Sequence, residues 1–187
     1  MDNSNPRLEM KIGSLNIQGS LPLKSSYPDF LKLAQSLDFL LIQESWLKHK
    51  EKVFVPNFSH FKANRKQNKK ARRGSGGLIL FYKNVLQKGV TREKSSDEKH
   101  SIWIKCDKNF FNLSQDLYLA SVYYPPQNSS SNKPNIHESI FNNLQKDTNK
   151  YQSKGDVLIL GDFNQGLSKV LVSTHGEGVK IKKHTRL

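Results

Sequence analysis

The residues whose types and spacing best suit chemistry lie in Gly155-Asp156-Val157-Leu158-Ile159-Leu160-Gly161-Asp162-Phe163-Asn164. Val157 to Leu160 is an apolar run with two β-branched members, the pattern of a short buried strand. Gly161 follows, and then an acid and an amide one residue apart. Strand side chains alternate, so Asp162 and Asn164 emerge on the same side if the strand direction continues past Gly161. A carboxylate and an amide at the end of a buried strand are well placed for chemistry, because the scaffold beneath them is rigid. Gly, Asp and Asn are also ordinary turn residues. The chemical reading gains weight only if other strands bring matching groups to the same place.

Three other segments end in polar groups that could share its site. Met10 to Ile17 alternates as a strand and carries Asn16 near its end. Asp38 to Glu44 reads as a buried strand ending in a carboxylate. Leu117 to Tyr124 reads as a strand that Pro125-Pro126 terminates, because proline cannot continue the ladder. Asn16, Glu44, Tyr123, Asp162 and Asn164 are therefore expected at one rim, with Tyr124 competing with Tyr123.

The intervening segments supply the scaffold. Ser26-Tyr27-Pro28-Asp29 is a helix start, and Phe30, Leu33, Ala34 and Leu37 form the apolar face behind it. Strand, helix and strand over residues 10–44 make a βαβ-like unit. If its strands run parallel, Asn16 and Glu44 lie at corresponding ends. Leu78 to Lys83 and His100 to Cys106 read as further strands, the latter with Ile102, Ile104 and Cys106 on one side and Trp103 on the other. Ile136 to Tyr151 has helical spacing, with Ile136, Ile140, Leu144 and Tyr151 inward. Leu167 to Val172 fits a short strand or a helical turn equally. Residues 1–9 read as a loose leader, 10–172 as one domain, and 173–187 as a Gly- and Lys-rich basic tail.

With 187 residues, the chain is long enough for one domain with a true core. Its formal net charge of +14 and pI of about 9.8 point to a polyanionic partner, nucleic acid ahead of an anionic membrane. Residues 62–73 hold seven basic residues and no acid, and are expected as an exposed loop. Arg65, Lys66, Lys69, Lys70, Arg72 and Arg73 are the expected contacts to DNA or RNA phosphates. Cys106 is the only cysteine, which excludes an intramolecular disulfide and a cysteine-based zinc site. No apolar run approaches the ~18 residues of a membrane span. The N-terminus lacks the apolar core of a signal peptide. The expectation is an intracellular protein of the nucleus or cytoplasm, neither secreted nor transmembrane.

On Asn16 with Gly19, Gln43-Glu44, Tyr123-Tyr124-Pro125-Pro126 and Gly161-Asp162-Phe163-Asn164, the chain resembles the endonuclease/exonuclease/phosphatase superfamily. It is most similar there to the endonuclease domains of non-LTR (LINE-type) retrotransposons, a likeness that the basic, glycine-rich Arg73-Gly74-Ser75-Gly76-Gly77-Leu78 supports. The resemblance covers about residues 10–166. It implies an α/β (α+β) fold, a four-layer αββα sandwich of two mainly antiparallel sheets flanked by helices. It further implies Mg²⁺- or Mn²⁺-dependent hydrolysis of a phosphodiester. Glu44 matches the family's metal ligand, assisted by Asn16. Asp162 matches the residue that orients and deprotonates the attacking water, Asn164 the group that holds it or the phosphate in line, and Tyr123 the phosphate contact.

The family pattern ends with a Ser-Asp-His triplet that this chain lacks. Ser96-Asp97 is followed by Glu98 and precedes Asp162, while His175 and His184 stand in other contexts. The expectation is a domain whose C-terminal part is missing and whose activity is weak or absent. The readings left open are a DNA-nicking endonuclease, a non-catalytic nucleic-acid-binding remnant, and a phosphatase or phosphodiesterase of the same fold. The nicking reading expects a monomer working with a reverse transcriptase from another chain.

Overall fold

A computed structural model describes residues 10–48, 51–63, 76–126 and 135–163, and the backbone of 171–173. In chain order the elements are β1 (Ile12–Asn16), α1 (Leu21–Lys24), α2 (Pro28–Gln35), β2 (Phe39–Gln43), β3 (Phe58–Ala63) and β4 (Leu78–Lys83). A 3-10 turn (Asn84–Gly89), β5 (Val90–Glu93), β6 (Ser101–Cys106), α3 (Lys108–Phe111) and β7 (Leu117–Tyr123) follow. The last elements are α4 (Ile136–Gln152), β8 (Asp156–Asp162) and β9 (Leu171–Ser173).

The strands form two sheets, in the orders β1-β2-β4-β3 and β5-β6-β7-β8-β9. Pairing is antiparallel except for β1 with β2 and β7 with β8. Each parallel pair has its crossover helix, α2 for the first and α4 for the second, as parallel neighbours require. Period-2 alternation then separates the layers. Ile12, Phe39, Leu41, Leu78, Leu80, Ile102, Ile104, Cys106, Leu117, Leu119, Leu158 and Leu160 fill the space between the sheets. Leu40, Ile42, Ile79 and Phe81 face outward and pack against Phe30 and Ala34 of α2. Trp103, Tyr118, Ala120, Val157 and Ile159 face the other way and pack against Tyr151 and Leu144 of α4. The layers are helix, sheet, sheet, helix, as the resemblance implies.

Some local expectations change. The segment 58–63 is an edge strand, so Lys62 belongs to β3 opposite Ile79 rather than to a loop. Only its two ends are buried, and Phe-Ser-His-Phe-Lys-Ala has no apolar face for a periodicity argument to find. β5 is likewise a short edge strand with exposed Thr91 and Arg92. The residue that caps α2 is Tyr27, without a side-chain bond, because the Ser26 hydroxyl donates to Leu23 O instead. No described helix is long and apolar enough to cross a membrane.

Candidate active site

The inner faces of β1, β2, β7 and β8 change character toward one end of the sandwich. Along β1 the inward residues run Ile12, Ser14, Asn16; along β2, Phe39, Leu41, Gln43; along β7, Leu119, Ser121, Tyr123; along β8, Leu158, Leu160, Asp162. The apolar core ends there in a polar rim. Parallel pairing fixes the alignment, with Asn16 opposite Gln43 and Tyr123 opposite Asp162.

Asn16 joins the two sheets across this rim. Its Nδ2 donates to Glu44 Oε1 at 2.8 Å and also to Asp162 Oδ2. Its Oδ1 accepts from the backbone N–H of Gln18 at 3.0 Å, which holds the amide in this orientation. Two carboxylates bonded to one nitrogen are no more than about 6 Å apart. At ~5 Å and an effective dielectric of ~20, like charges repel by about 3 kcal/mol.

Local backbone turns aim these groups. Glu44 leaves β2 with φ +53°, and Gln18 leaves the end of β1 with φ +51°. The two turns are tied by Gly19 N–H donating to Glu44 O at 2.7 Å. Gly19 has φ +84° and lies beneath the Trp46 ring, so a Cβ there meets indole carbon. Glycine is required by both conformation and contact.

Of the two tyrosines, Tyr123 is buried on the inner face. Tyr124 turns toward α4, where its hydroxyl donates to His137 O at 3.2 Å and its ring lies 4.9 Å from the His137 ring. The Tyr124 N–H donates to Asp162 O at 2.8 Å and continues the β7–β8 ladder past Tyr123. Asn164 and the six basic residues Arg65, Lys66, Lys69, Lys70, Arg72 and Arg73 lie outside the described residues.

A polar cluster that the sequence did not suggest braces Tyr123 from the other side. The backbone oxygen of His100 accepts from Tyr123 N–H at 2.9 Å, and His100 Nδ1 is 2.8 Å from Asp97 Oδ2. The His100 side chain is only 3% exposed. Burial pushes the Asp97 carboxyl up, but the His100 bond and charge and the Lys99 contacts outweigh it and hold its pKa below the usual value. Nearby, Asp147 of α4 accepts from Ser96 N–H at 2.8 Å and from the Ser96 hydroxyl at 2.6 Å. Asp97→Asn is expected to cost about 1–3 kcal/mol at neutral pH by weakening the bond to a buried partner. A depressed folded pKa gives stability that is present above the unfolded value, ~3.9, and fades as pH falls through the folded one. Urea midpoints of wild type and variant should therefore converge below about pH 4. A gap that stays constant down to acid unfolding would contradict this.

The donor set is chemically suited to a hard dication. Mg²⁺ and Mn²⁺ take oxygen ligands, need only one or two protein carboxylates, and leave positions for water and phosphate. Among the described residues, no three His, Cys, Asp or Glu side chains gather into a metal cage, at this rim or elsewhere, so protein carboxylates at the rim number only two.

Comparison with known proteins supports the same architecture. Solved structures similar to this chain include the 3′ phosphatase NExo from Neisseria bound to a product DNA hairpin, at 17% identity and a TM-score of 0.55. They also include the endonuclease domain of TRAS1, a telomere-specific non-LTR retrotransposon, at 14% identity and 0.54, and the catalytic domain of Xenopus laevis APE2, at 17% and 0.54. Each alignment covers 83% of this chain, but only 58% of the Neisseria protein and 59% of the other two. Likeness at such identities shows the fold. No curated protein sequence matches the chain. The model of the Endonuclease/Exonuclease/phosphatase family matches residues 13–176, from β1 to beyond β9. With that match over most of its length, the chain belongs to the endonuclease/exonuclease/phosphatase family.

Proposed function

We propose that this chain is a metal-dependent phosphodiesterase that nicks DNA, of the kind associated with non-LTR retrotransposons. Members of the family are hydrolases of phosphodiesters or phosphate esters, and they generally use divalent metals. The observation that carries the reading is the convergence of Glu44 and Asp162, from different sheets, on the Asn16 amide. Mg²⁺ or Mn²⁺ would be held by Glu44, with Asn16 beside it, and when bound it would neutralise charge on the phosphate and the leaving oxygen.

The chain's own groups divide the remaining work. Asp162 accepts the proton of the attacking water, and its position against Asn16 keeps its oxygens aimed into the rim. Tyr123 supplies a neutral donor to the phosphate, and Asn164 holds the aspartate or phosphate in line. The six arginines and lysines of residues 65–73 contact the DNA backbone. The net charge of +14 favours a long polyanion over a small phosphate.

Two features keep other readings in view. The net charge of +14 by itself also suits a protein that binds nucleic acid without cutting it. A similar structure is a 3′ phosphatase, which favours a terminal phosphate as substrate. Working as a monomer, with a reverse transcriptase supplied by another chain, is part of the nicking reading.

The test is nicking of supercoiled plasmid with Mg²⁺ or Mn²⁺. Nicking that stops with EDTA supports the proposal. DNA binding without nicking at any metal concentration establishes the binding protein, and release of inorganic phosphate from 3′-phosphorylated ends establishes the phosphatase. Binding itself should be strongly salt-dependent. Neutralising ~5 phosphates gives a log–log slope of roughly −4.5, measured by anisotropy across a salt series. A slope near zero would remove the polyanion from the account.

A further inference from the structure

One buried polar side chain below the rim has no part in the proposed chemistry. Gln43 is the last residue of β2, 1% exposed, and faces the space between the sheets. Its Nε2 lies 3.1 Å from the Ser14 hydroxyl of β1, 3.3 Å from the Ser121 hydroxyl of β7 and 3.4 Å from Leu41 O. The Ser14 hydroxyl is 3.3 Å from Gln43 Oε1. Ser14 is two residues before Asn16, Ser121 two before Tyr123, and Gln43 one before Glu44. A polar layer thus spans both sheets directly beneath the rim.

Such a layer is costly unless it is satisfied, since a buried amide without partners forfeits its hydration. Leucine at this position would fill similar space and continue the apolar core. Gln43 instead provides direction. Apolar contacts between two sheets tolerate small slides, whereas a hydrogen bond has a preferred distance and angle. The rim needs this control because Asn16 and Glu44 belong to one sheet, and Tyr123 and Asp162 to the other.

We propose that Gln43, through Ser121, is a positioning residue that sets the alignment of the two sheets at the rim, and so the placement of Glu44 against Asp162. The catalytic half of this inference rests on the hydrolytic reading above; the alignment half does not. A shift of the order of 1 Å in a reacting constellation costs roughly 10²-fold in rate. Removing one of several restraints should give a smaller loss, roughly 10-fold.

Ser121→Ala cuts only the contact between sheets, and Gln43→Leu removes the whole layer. Both, and the double variant, are to be assayed for melting temperature, for kcat and KM of nicking, and by NMR of the Asn16 side-chain amide. That amide signal is identified by its loss in Asn16→Asp. Ser121→Ala is expected to stay folded, to keep its KM for DNA, and to lose kcat roughly 10-fold. The double variant should be no slower than Gln43→Leu, because both act through one contact. The Asn16 resonances should move in both single variants, while the side-chain amide of Asn84, at the far end of β4, stays in place. A wild-type kcat in folded Ser121→Ala, additive losses in the double variant, or unmoved Asn16 resonances would overturn the inference. If wild type nicks nothing, the hydrolytic reading fails by itself, and the NMR shifts alone decide whether Gln43 aligns the sheets.

Discussion

Asp162→Asn is expected to lower the single-turnover nicking rate by ~10²–10⁴-fold while leaving DNA affinity within a few-fold of wild type. The substitution preserves shape, and its amide oxygen still accepts from Asn16 Nδ2, so the strand end keeps its anchor. What disappears is a group able to take a proton from water at neutral pH. Glu44→Gln makes the informative companion. As the residue proposed to hold the ion, Glu44 should raise the Mn²⁺ concentration for half-maximal rate when its charge is removed, whereas Asp162→Asn should leave that concentration near its wild-type value. Rapid-quench nicking over a Mn²⁺ series, with anisotropy for binding, separates the two roles. Unchanged rates in both variants would mean that the rim is not where the phosphodiester is cut.

Gly161→Ala should produce a large loss of stability for a single added methyl group. A Cβ at this position lies 2.7 Å from Val122 C and 2.9 Å from Val122 N, and closer still to the Val122 carbonyl oxygen. These are backbone atoms of the adjacent parallel strand, in register with Gly161, so no side-chain rotation can make room. Either the β7–β8 ladder spreads or the strand end twists, at a cost of about 3 kcal/mol or more. For a chain of this size that corresponds to roughly 6–12 °C in melting temperature. Because Gly161 leads directly into Asp162, nicking should fall by more than the loss of folded protein accounts for. Thermal melts and rates normalised to the folded fraction test both parts. An unchanged melting temperature would show that β8 has slack at this point.

The layered architecture was legible in the alternation of the strands. Ile102, Ile104 and Cys106 against Trp103 form two faces in the sequence, and the same residues line two different cores in the structure. The helices α2 and α4 were legible for the complementary reason, since Phe30 with Ala34, and Ile140 with Tyr151, repeat at helical spacing. The edge strands β3 and β5 were not. Each is paired along one side only and is partly wetted, so no apolar period marks it. At the rim, the sequence singled out Asn16, Glu44 and Asp162 by type and by position at strand ends, and only the family resemblance preferred Tyr123 to Tyr124. It offered no sign of the His100–Asp97 pair, and it marked Gln43 only as the neighbour of Glu44.

What the sequence determined alone was the order of the buried strands and the polar residues at their ends, because period and termination are local properties of the chain. What only the tertiary structure decided was who meets whom. Asn16 touches Asp162 across 146 positions of sequence, and Gln43 reaches Ser121 across 78. Such contacts follow from the packing of one sheet on another, where the summed burial of many apolar side chains sets the approach of a few polar ones. No local pattern encodes that distance, and the proposed chemistry depends on it.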